Sequence, residues 1–138
     1  PVEFNFSKAL WIKKINAFNL PADVLYLVFK YFFWSSEILF DFDKSSIEGN
    51  NKGIIDFMKG RIKENSQIEI LGYTDRTGSV DYNQKLSLSR ASSVKQALAK
   101  NDAVVKGVGN AELLFNNDIP EGRFYCRTVN IVVKTPVQ

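Results

Sequence analysis

The sequence contains no histidine and a single cysteine, Cys126. Histidine is the commonest general base and the commonest metal ligand, so its absence argues against hydrolytic catalysis and against a zinc site. A lone cysteine cannot form an intrachain disulfide, so it identifies no cellular compartment. Cys126 ends a strand-like run after Phe124 and Tyr125, and we expect it to be a small buried residue. We predict no metal and no cofactor.

The chain also lacks a basic block. Its 138 residues carry a formal net charge of only +3, so we expect no nucleic-acid partner. With 45% hydrophobic and 24% charged residues, the composition is typical of a folded domain with its own core. The chain begins at Pro1 with no initiator methionine or signal peptide. We therefore expect it to be a piece of a longer protein.

No apolar run is long enough to cross a membrane. The longest aromatic and β-branched run covers residues 24–34 and has 11 residues, whereas a membrane-spanning helix needs about 20. This run is compatible with a buried strand, a core helix or a partner-facing surface, and we favour packing within the fold or against a preceding domain over a role at a membrane surface. Before it, Ser7 is a candidate helix cap and residues 19–23 indicate a turn. We assign residues 1–35 to an N-terminal extension or the end of a preceding region.

The remaining pattern predicts alternating strands and helices. We expect strands at 38–42, 67–72, 104–109 and 128–134, with helices at 51–64 and from Ser79 to about 101. Residues 110–122 are rich in Asn and Asp and predict a loop. The order β-α-β-α-β-β predicts an α/β (α+β) two-layer sandwich, with two main helices on one face of a mixed sheet.

Two acids and a serine near the first strand have the spacing that begins a calcium loop. Asp41, Asp43 and Ser45 stand at positions one, three and five. The rest of the motif fails, because Ser46 replaces the required glycine and Lys52 replaces the required glutamate. We predict instead that Asp43, with Ser45 or Ser46, closes the turn into the next helix.

One residue breaks the apolar pattern of the second helix. Leu86, Val94 and Leu98 form a core-facing stripe, and Arg90 lies four residues from the first two of them. Asn83 points the same way. An unpaired charge on a buried stripe is costly, so Arg90 needs a partner. Asp75, in the preceding turn, is the obvious candidate.

Two interpretations of Arg90 are open at this point. The first is a structural ion pair with Asp75 at the edge of the core. The second is that the two side chains hold a zwitterion between them. The carboxylate of Asp75 would then take an ammonium, and the guanidinium would take a carboxylate in bidentate fashion.

Three separated motifs resemble the OmpA-like peptidoglycan-binding domain. The central motif comprises residues 72–75 (GYTD), 78–79 (GS), 82–83 (YN) and 86–91 (LSLSRA). Residues 38–45 resemble the family's opening F-x-F-D-K-S, and residues 117–129 resemble its N-x-T-x-E-G-R-x-x-N-R-x-V. The resemblance covers residues 36–134, and we assign residues 36–138 to this domain. The sequence departs from the family pattern at Tyr73, Ile119, Cys126 and Thr128, none of which is the acid or the arginine.

The resemblance implies a non-catalytic domain that binds the peptide stem of peptidoglycan. It would anchor an outer-membrane or envelope protein in the periplasm to the cell wall. By this resemblance the ligand is diaminopimelate, with its ammonium at Asp75 and its carboxylate at Arg90. Hydrogen bonds would come from Asn83 and Thr74. Asp43 and Arg127 are expected to border the site, and the other interpretation of Arg127 is a structural pair with a loop acid.

Two other functions remain as alternatives. One is a protein-interaction module of an envelope complex, which would use the aromatic N-terminal segment. The other is an enzyme, in which Asp41, Asp43 and Asp75 would supply paired carboxylates. No nucleophile–base pair or phosphate-binding loop accompanies these acids, so we predict that the chain is not an enzyme.

Overall fold

A computed structural model describes residues 30–137. Its elements are β1 (Tyr31–Leu39), α1 (Asn50–Arg61), β2 (Gln67–Tyr73), α2 (Val80–Leu98), β3 (Val104–Gly109), α3 (Pro120–Cys126) and β4 (Thr128–Pro136). The strands form a mixed sheet in the order β1-β4-β2-β3, in which β2 is parallel to β3 and antiparallel to β4. Phe33–Thr135 form one compact unit. In the described part of the other unit, the Val137 N–H donates to the Lys30 carbonyl at 2.8 Å.

The core lies between one face of the sheet and the two longer helices. Alternate residues of β2 and β4 supply the sheet side, because successive side chains of a strand point to opposite faces. Helices α1 and α2 both bury residues in the same cluster, so they cover the same face. The main members are Ile68, Ile70, Ile131 and Val133 from the sheet and Ile55, Met58, Ala91, Val94 and Leu98 from the helices. The expected two-layer α/β sandwich with a mixed sheet is confirmed.

Helix α2 begins where the sequence predicts. The Ser79 hydroxyl accepts a hydrogen bond from the Tyr82 N–H at 3.3 Å, as an N-cap should, and Asp81 lies in the first turn. Two glycines let the helix approach the sheet closely. A Cβ at Gly72 would collide with the backbone carbonyl of Ser87, and one at Gly107 would lie 2.8 Å from the Ser87 Oγ. Glycine is therefore required where α2 crosses β2 and β3.

The first strand differs from the prediction of 38–42. It runs over Tyr31–Leu39, so it includes the end of the aromatic run, and residues 31–34 of that run form a strand. After Leu39 the chain turns away from the sheet. Asp43 adopts a left-handed conformation (φ 57°), and Phe42 is 62% exposed instead of sharing the buried face of Ile38 and Phe40. The other expectations for residues 1–29, including the Ser7 helix cap, lie outside the described residues.

A third helix corrects the predicted order to β-α-β-α-β-α-β. Helix α3 occupies Pro120–Cys126, where we expected the end of a loop and a strand-like run. Proline is favoured in a first turn because its missing N–H is not needed there. Cys126 is fully buried, as expected, and its sulfur accepts hydrogen bonds from the Phe115 N–H (3.3 Å) and the Asn117 amide (3.0 Å). Within residues 30–137, none of the helices has the length and hydropathy needed to cross a membrane.

Candidate functional site

A small pocket lies where β2 ends and α2 begins. Ten residues line it. They are the six predicted for the site (Asp43, Thr74, Asp75, Asn83, Arg90 and Arg127) and four others, Phe42, Thr77, Tyr82 and Leu86. Its free volume is about 20 Å³, which is room for about one water molecule. Asp75 and Arg90 therefore share one pocket, as the zwitterion hypothesis requires.

Asp75 forms an ion pair with Arg127. The Asp75 Oδ2 lies 3.1 Å from the Arg127 Nη1, and the two side chains are 5% and 16% exposed. The other carboxylate oxygen accepts a hydrogen bond from the Thr77 N–H at 2.8 Å. The Asp75–Arg90 ion pair, the first interpretation considered above, is therefore incorrect for the described residues. The partner lies at the junction of α3 and β4, and a periodicity argument confined to α2 could not have found it.

Arg90 is fully buried and is held by backbone carbonyls. Its Nε donates to the Lys44 carbonyl (2.8 Å), its Nη2 to Asp41 (3.1 Å) and its Nη1 to Tyr73 (3.3 Å). Its guanidinium also lies over the Phe40 ring, 5.3 Å from the centroid. Arg90 thereby ties the 41–44 loop to the end of β2.

The electrostatic environment of Arg90 is unusual for an arginine. Burial lowers the pKa of Arg90 to about 10, and the positive charge of Arg127 acts in the same direction. The charge of Asp75 opposes both effects. Arg90 remains cationic at neutral pH, and the three carbonyl dipoles offset part of the cost of its burial.

Arg127 is the more accessible of the two guanidinium groups. Besides its Asp75 contact, its Nε donates to the Phe40 carbonyl at 3.3 Å, and the guanidinium lies 5.3 Å from the centre of the Phe124 ring. Among the described residues nothing bonds to its Nη2. Arg127 can therefore offer N–H donors to a ligand while it stays paired with Asp75.

Thr74 and Asn83 complete the inner wall of the pocket. Within residues 30–137, the Thr74 Oγ1 is a buried atom with no hydrogen-bond partner. A buried hydroxyl without a partner is costly, so it is available to a ligand. The Asn83 side chain is buried, and its Nδ2 donates to the Asp75 carbonyl at 3.4 Å, which ties α2 to the acid's own backbone.

The mouth of the pocket is formed by residues that sequence reasoning did not select. Phe42 and Tyr82 are 62% and 48% exposed, and the Tyr82 hydroxyl donates a hydrogen bond to the Asp43 carboxylate. This bond raises the pKa of Tyr82, with burial and the negative charge of Asp43 as smaller causes. Tyr82 belongs to the Tyr-Asn pair of the motif, and that pair was the available signal. Leu86, assigned to the core stripe, also lines the pocket.

The charged side chains around the pocket balance one another. Two carboxylates, Asp43 and Asp75, face two guanidinium groups, Arg90 and Arg127. A simple cation or anion would disturb this balance, whereas a zwitterion adds one charge of each sign and preserves it. In the described part of the chain, no group of three or more Cys, Asp or Glu side chains is arranged to hold a metal ion.

Known proteins resemble this chain over most of its length. Outer membrane porin F of Pseudomonas fluorescens is 35% identical over 111 residues, which cover 74% of this chain and 33% of the porin. Photosystem I P700 chlorophyll a apoprotein A2 of Gloeobacter violaceus is 34% identical over an alignment 139 residues long, gaps included, which covers 91% of this chain and 15% of that protein. The chain thus spans a third or less of the length of these relatives.

A solved structure and a family profile identify the fold and the family of this chain. The peptidoglycan-associated lipoprotein from Burkholderia pseudomallei superposes with a TM-score of 0.66 at 22% identity, covering 70% of this chain and 88% of that one, so the two share a fold. The sequence profile of the OmpA family matches residues 39–127, a range that contains all six predicted site residues. This chain belongs to the OmpA family.

Proposed function

We propose that this domain binds the peptide stem of peptidoglycan, without catalysis, and so anchors the protein that carries it to the cell wall. The observation that carries the proposal is the charge-balanced pocket in which Asp75, Arg90 and Arg127 come together. The family membership and the fold shared with a peptidoglycan-associated lipoprotein support it.

The ligand in this proposal is the zwitterionic end of diaminopimelate. Its ammonium binds the Asp75 carboxylate, and its carboxylate binds the guanidinium groups of Arg90 and Arg127. Arg90 has five N–H donors, and three of its nitrogens each donate one bond to a carbonyl, so N–H groups remain for a ligand. Arg127 adds its Nη2 to the same end of the pocket. Thr74 Oγ1 supplies a further hydrogen bond, and Asn83 keeps the Asp75 backbone in place.

The contacts that the two acids of the pocket make are consistent with binding that involves no catalysis. Asp75 is engaged by Arg127 and the Thr77 N–H, and Asp43 by Tyr82, so neither acid is arranged as a general base beside a nucleophile. Muropeptides incubated with the protein should be recovered unchanged by mass spectrometry. A new cleavage product would contradict this part of the proposal.

The cellular setting follows from the same proposal. A wall-binding domain works where peptidoglycan is accessible, which places this one in the periplasm. The match to porin F supports an outer-membrane protein as the anchored parent. The photosystem match extends over more of the chain, and it favours a photosynthetic membrane protein as a second candidate. The alternative function, a protein-interaction surface formed by the aromatic N-terminal segment, concerns residues of which 1–29 lie outside the described part.

Cosedimentation with purified peptidoglycan tests the proposal. Asp75→Asn and Arg127→Gln should each lower the bound fraction strongly, because each removes one charged partner from the pocket. The Arg76–Asp118 pair offers a matched control, since it is also an Arg–Asp contact (2.7 Å) but is exposed and outside the pocket. Arg76→Gln and Asp118→Asn should bind like the wild type. Equal binding by all four variants would remove the pocket from the function.

A further inference from the structure

A side-chain hydrogen bond, from the Tyr82 hydroxyl to the Asp43 carboxylate, lies at the wall of the pocket. We call this bond the latch. Both residues line the pocket, with Tyr82 on the first turn of α2 and Asp43 in the loop that follows β1. The latch therefore joins two elements that line the pocket.

The pocket is open to solvent on one side, but its interior is narrow. The interior volume is about 20 Å³, room for about one water molecule, and Asp75 is 4% exposed. A carbon that carries both an ammonium and a carboxylate consists of several non-hydrogen atoms. A side chain that moved away from the wall would therefore make room for the ligand near Asp75.

The backbone on both sides of the latch is fixed. Arg90 holds the carbonyls of Asp41 and Lys44, on either side of Asp43, and the Lys44 N–H also bonds to the Asp41 carbonyl at 3.2 Å. Helix α2 is held at its start by the Ser79 cap. The Tyr82 side chain, in contrast, is 48% exposed, and exposed side chains change rotamer within nanoseconds. Rotation of Tyr82 would therefore free the Asp43 carboxylate without any movement of the backbone on either side.

We propose that Tyr82 is a competitive latch on Asp43, and that the ammonium of the incoming ligand takes the place of the Tyr82 hydroxyl on that carboxylate. This inference rests on the proposed function. The Tyr82 hydroxyl is an uncharged donor, whereas an ammonium adds a Coulomb attraction to its hydrogen bond with the carboxylate. The exchange therefore favours ligands that carry an ammonium, and it makes Asp43 a second acceptor for it beside Asp75.

The test is calorimetric titration of the whole chain with a diaminopimelate-containing muropeptide. Tyr82→Phe keeps the ring and removes the competing donor, so affinity should rise about 3- to 10-fold, the worth of one hydrogen bond. Tyr125 is also 48% exposed and lies outside the pocket, so Tyr125→Phe is the matched control and should leave affinity unchanged. Circular dichroism of each variant checks that the fold is intact.

A second pair of variants separates the latch from a general effect of the tyrosine. In a D43A background the acceptor is gone, so Tyr82→Phe should change affinity by less than about twofold. Equal or weaker binding of Tyr82→Phe in the wild-type background would overturn the latch while leaving wall binding intact. Absence of binding by the wild type itself would overturn the proposed function, and the latch with it.

Discussion

The two halves of α2 bury opposite kinds of side chain on the same face. The part up to Arg90, which we call the polar half, buries Asn83, Ser87 and Arg90. The part after Arg90, the apolar half, buries Ala91, Val94 and Leu98 in the core. Both halves lie on one continuous helix against one sheet. A single element thus contributes to the hydrophobic core at one end and to the charged pocket at the other.

The polar half is stable because each buried polar group has a partner, most often the main chain. Ser87 Oγ donates to the Gln84 carbonyl and accepts from the Gly109 N–H, both at 2.9 Å. Arg90 bonds to three carbonyls, and Asn83 to the Asp75 carbonyl. These bonds connect the loops that carry the pocket's charges, so the polar half fixes the shape of the site.

The largest effect should come from removing the centre of the polar half. Arg90→Met leaves three carbonyl groups without their donor and removes one of the pocket's positive charges. We expect a loss of about 4 kcal/mol in the free energy of unfolding, together with loss of wall binding. Urea denaturation and cosedimentation measure the two effects. A variant that keeps both stability and binding would show that Arg90 does not hold the 41–44 loop.

Truncation in the apolar half should separate stability from binding. Leu98→Ala creates a cavity in the core, and we expect it to cost about 3 kcal/mol of unfolding free energy. The pocket does not include Leu98, so the folded fraction should bind muropeptide with wild-type affinity. Denaturation and calorimetric titration below the unfolding transition provide the data. Weakened binding by folded protein would mean that the two halves are coupled.

Asp75→Asn should lower binding and stability together. The amide oxygen can still accept from the Thr77 N–H, so the loop is retained, but the charge that would attract the ammonium is lost and the largely buried Arg127 loses its acid. We expect muropeptide affinity to fall by about 2 kcal/mol, or about 30-fold, and the free energy of unfolding to fall by about 2 kcal/mol as well. Calorimetric titration and thermal unfolding measure the two effects. Wild-type affinity in the folded variant would assign Asp75 a purely structural role.

The smallest effect should come from replacing Thr74. The replacement should raise stability but weaken ligand binding. Thr74→Val removes a buried hydroxyl that has no partner among the described residues, so stability should rise by about 1 kcal/mol. Binding should weaken about threefold, because the ligand loses one hydrogen bond. Thermal unfolding and titration detect both. If the variant is less stable than the wild type, the hydroxyl has a bonding role within the fold.

The sequence was sufficient to predict the β2–turn–α2 unit, and together with the family resemblance it named six of the ten residues that line the pocket. The change from strand to helical periodicity and the Ser79 cap are local signals, and Arg90 on an apolar stripe pointed to the pocket. The partners of Arg90 could not be predicted in the same way. They are main-chain carbonyls 17, 46 and 49 residues away, and a backbone acceptor has no residue-type signature. The Asp75–Arg127 pair likewise joins residues 52 positions apart.

Helix α3 was missed for a related reason. It is only seven residues long, and Ile119 provides no side-chain cap. The Asn and Asp residues before it indicate a loop. What holds it is tertiary contact: Arg123 donates to the Asn117 carbonyl at 2.8 Å, and Cys126 is buried against the Phe115–Asn117 segment. Such contacts leave no periodic trace in a short segment.

The measurement that tests the account most directly compares two muropeptides that differ only in the third residue of the stem. Diaminopimelate offers an ammonium and a carboxylate at the end of its side chain, whereas lysine offers the ammonium alone. If the pocket holds a zwitterion between its acids and its guanidinium groups, titration should show the lysine peptide binding at least about 10-fold more weakly. Equal affinity for the two peptides would contradict the proposal that the pocket holds a zwitterion.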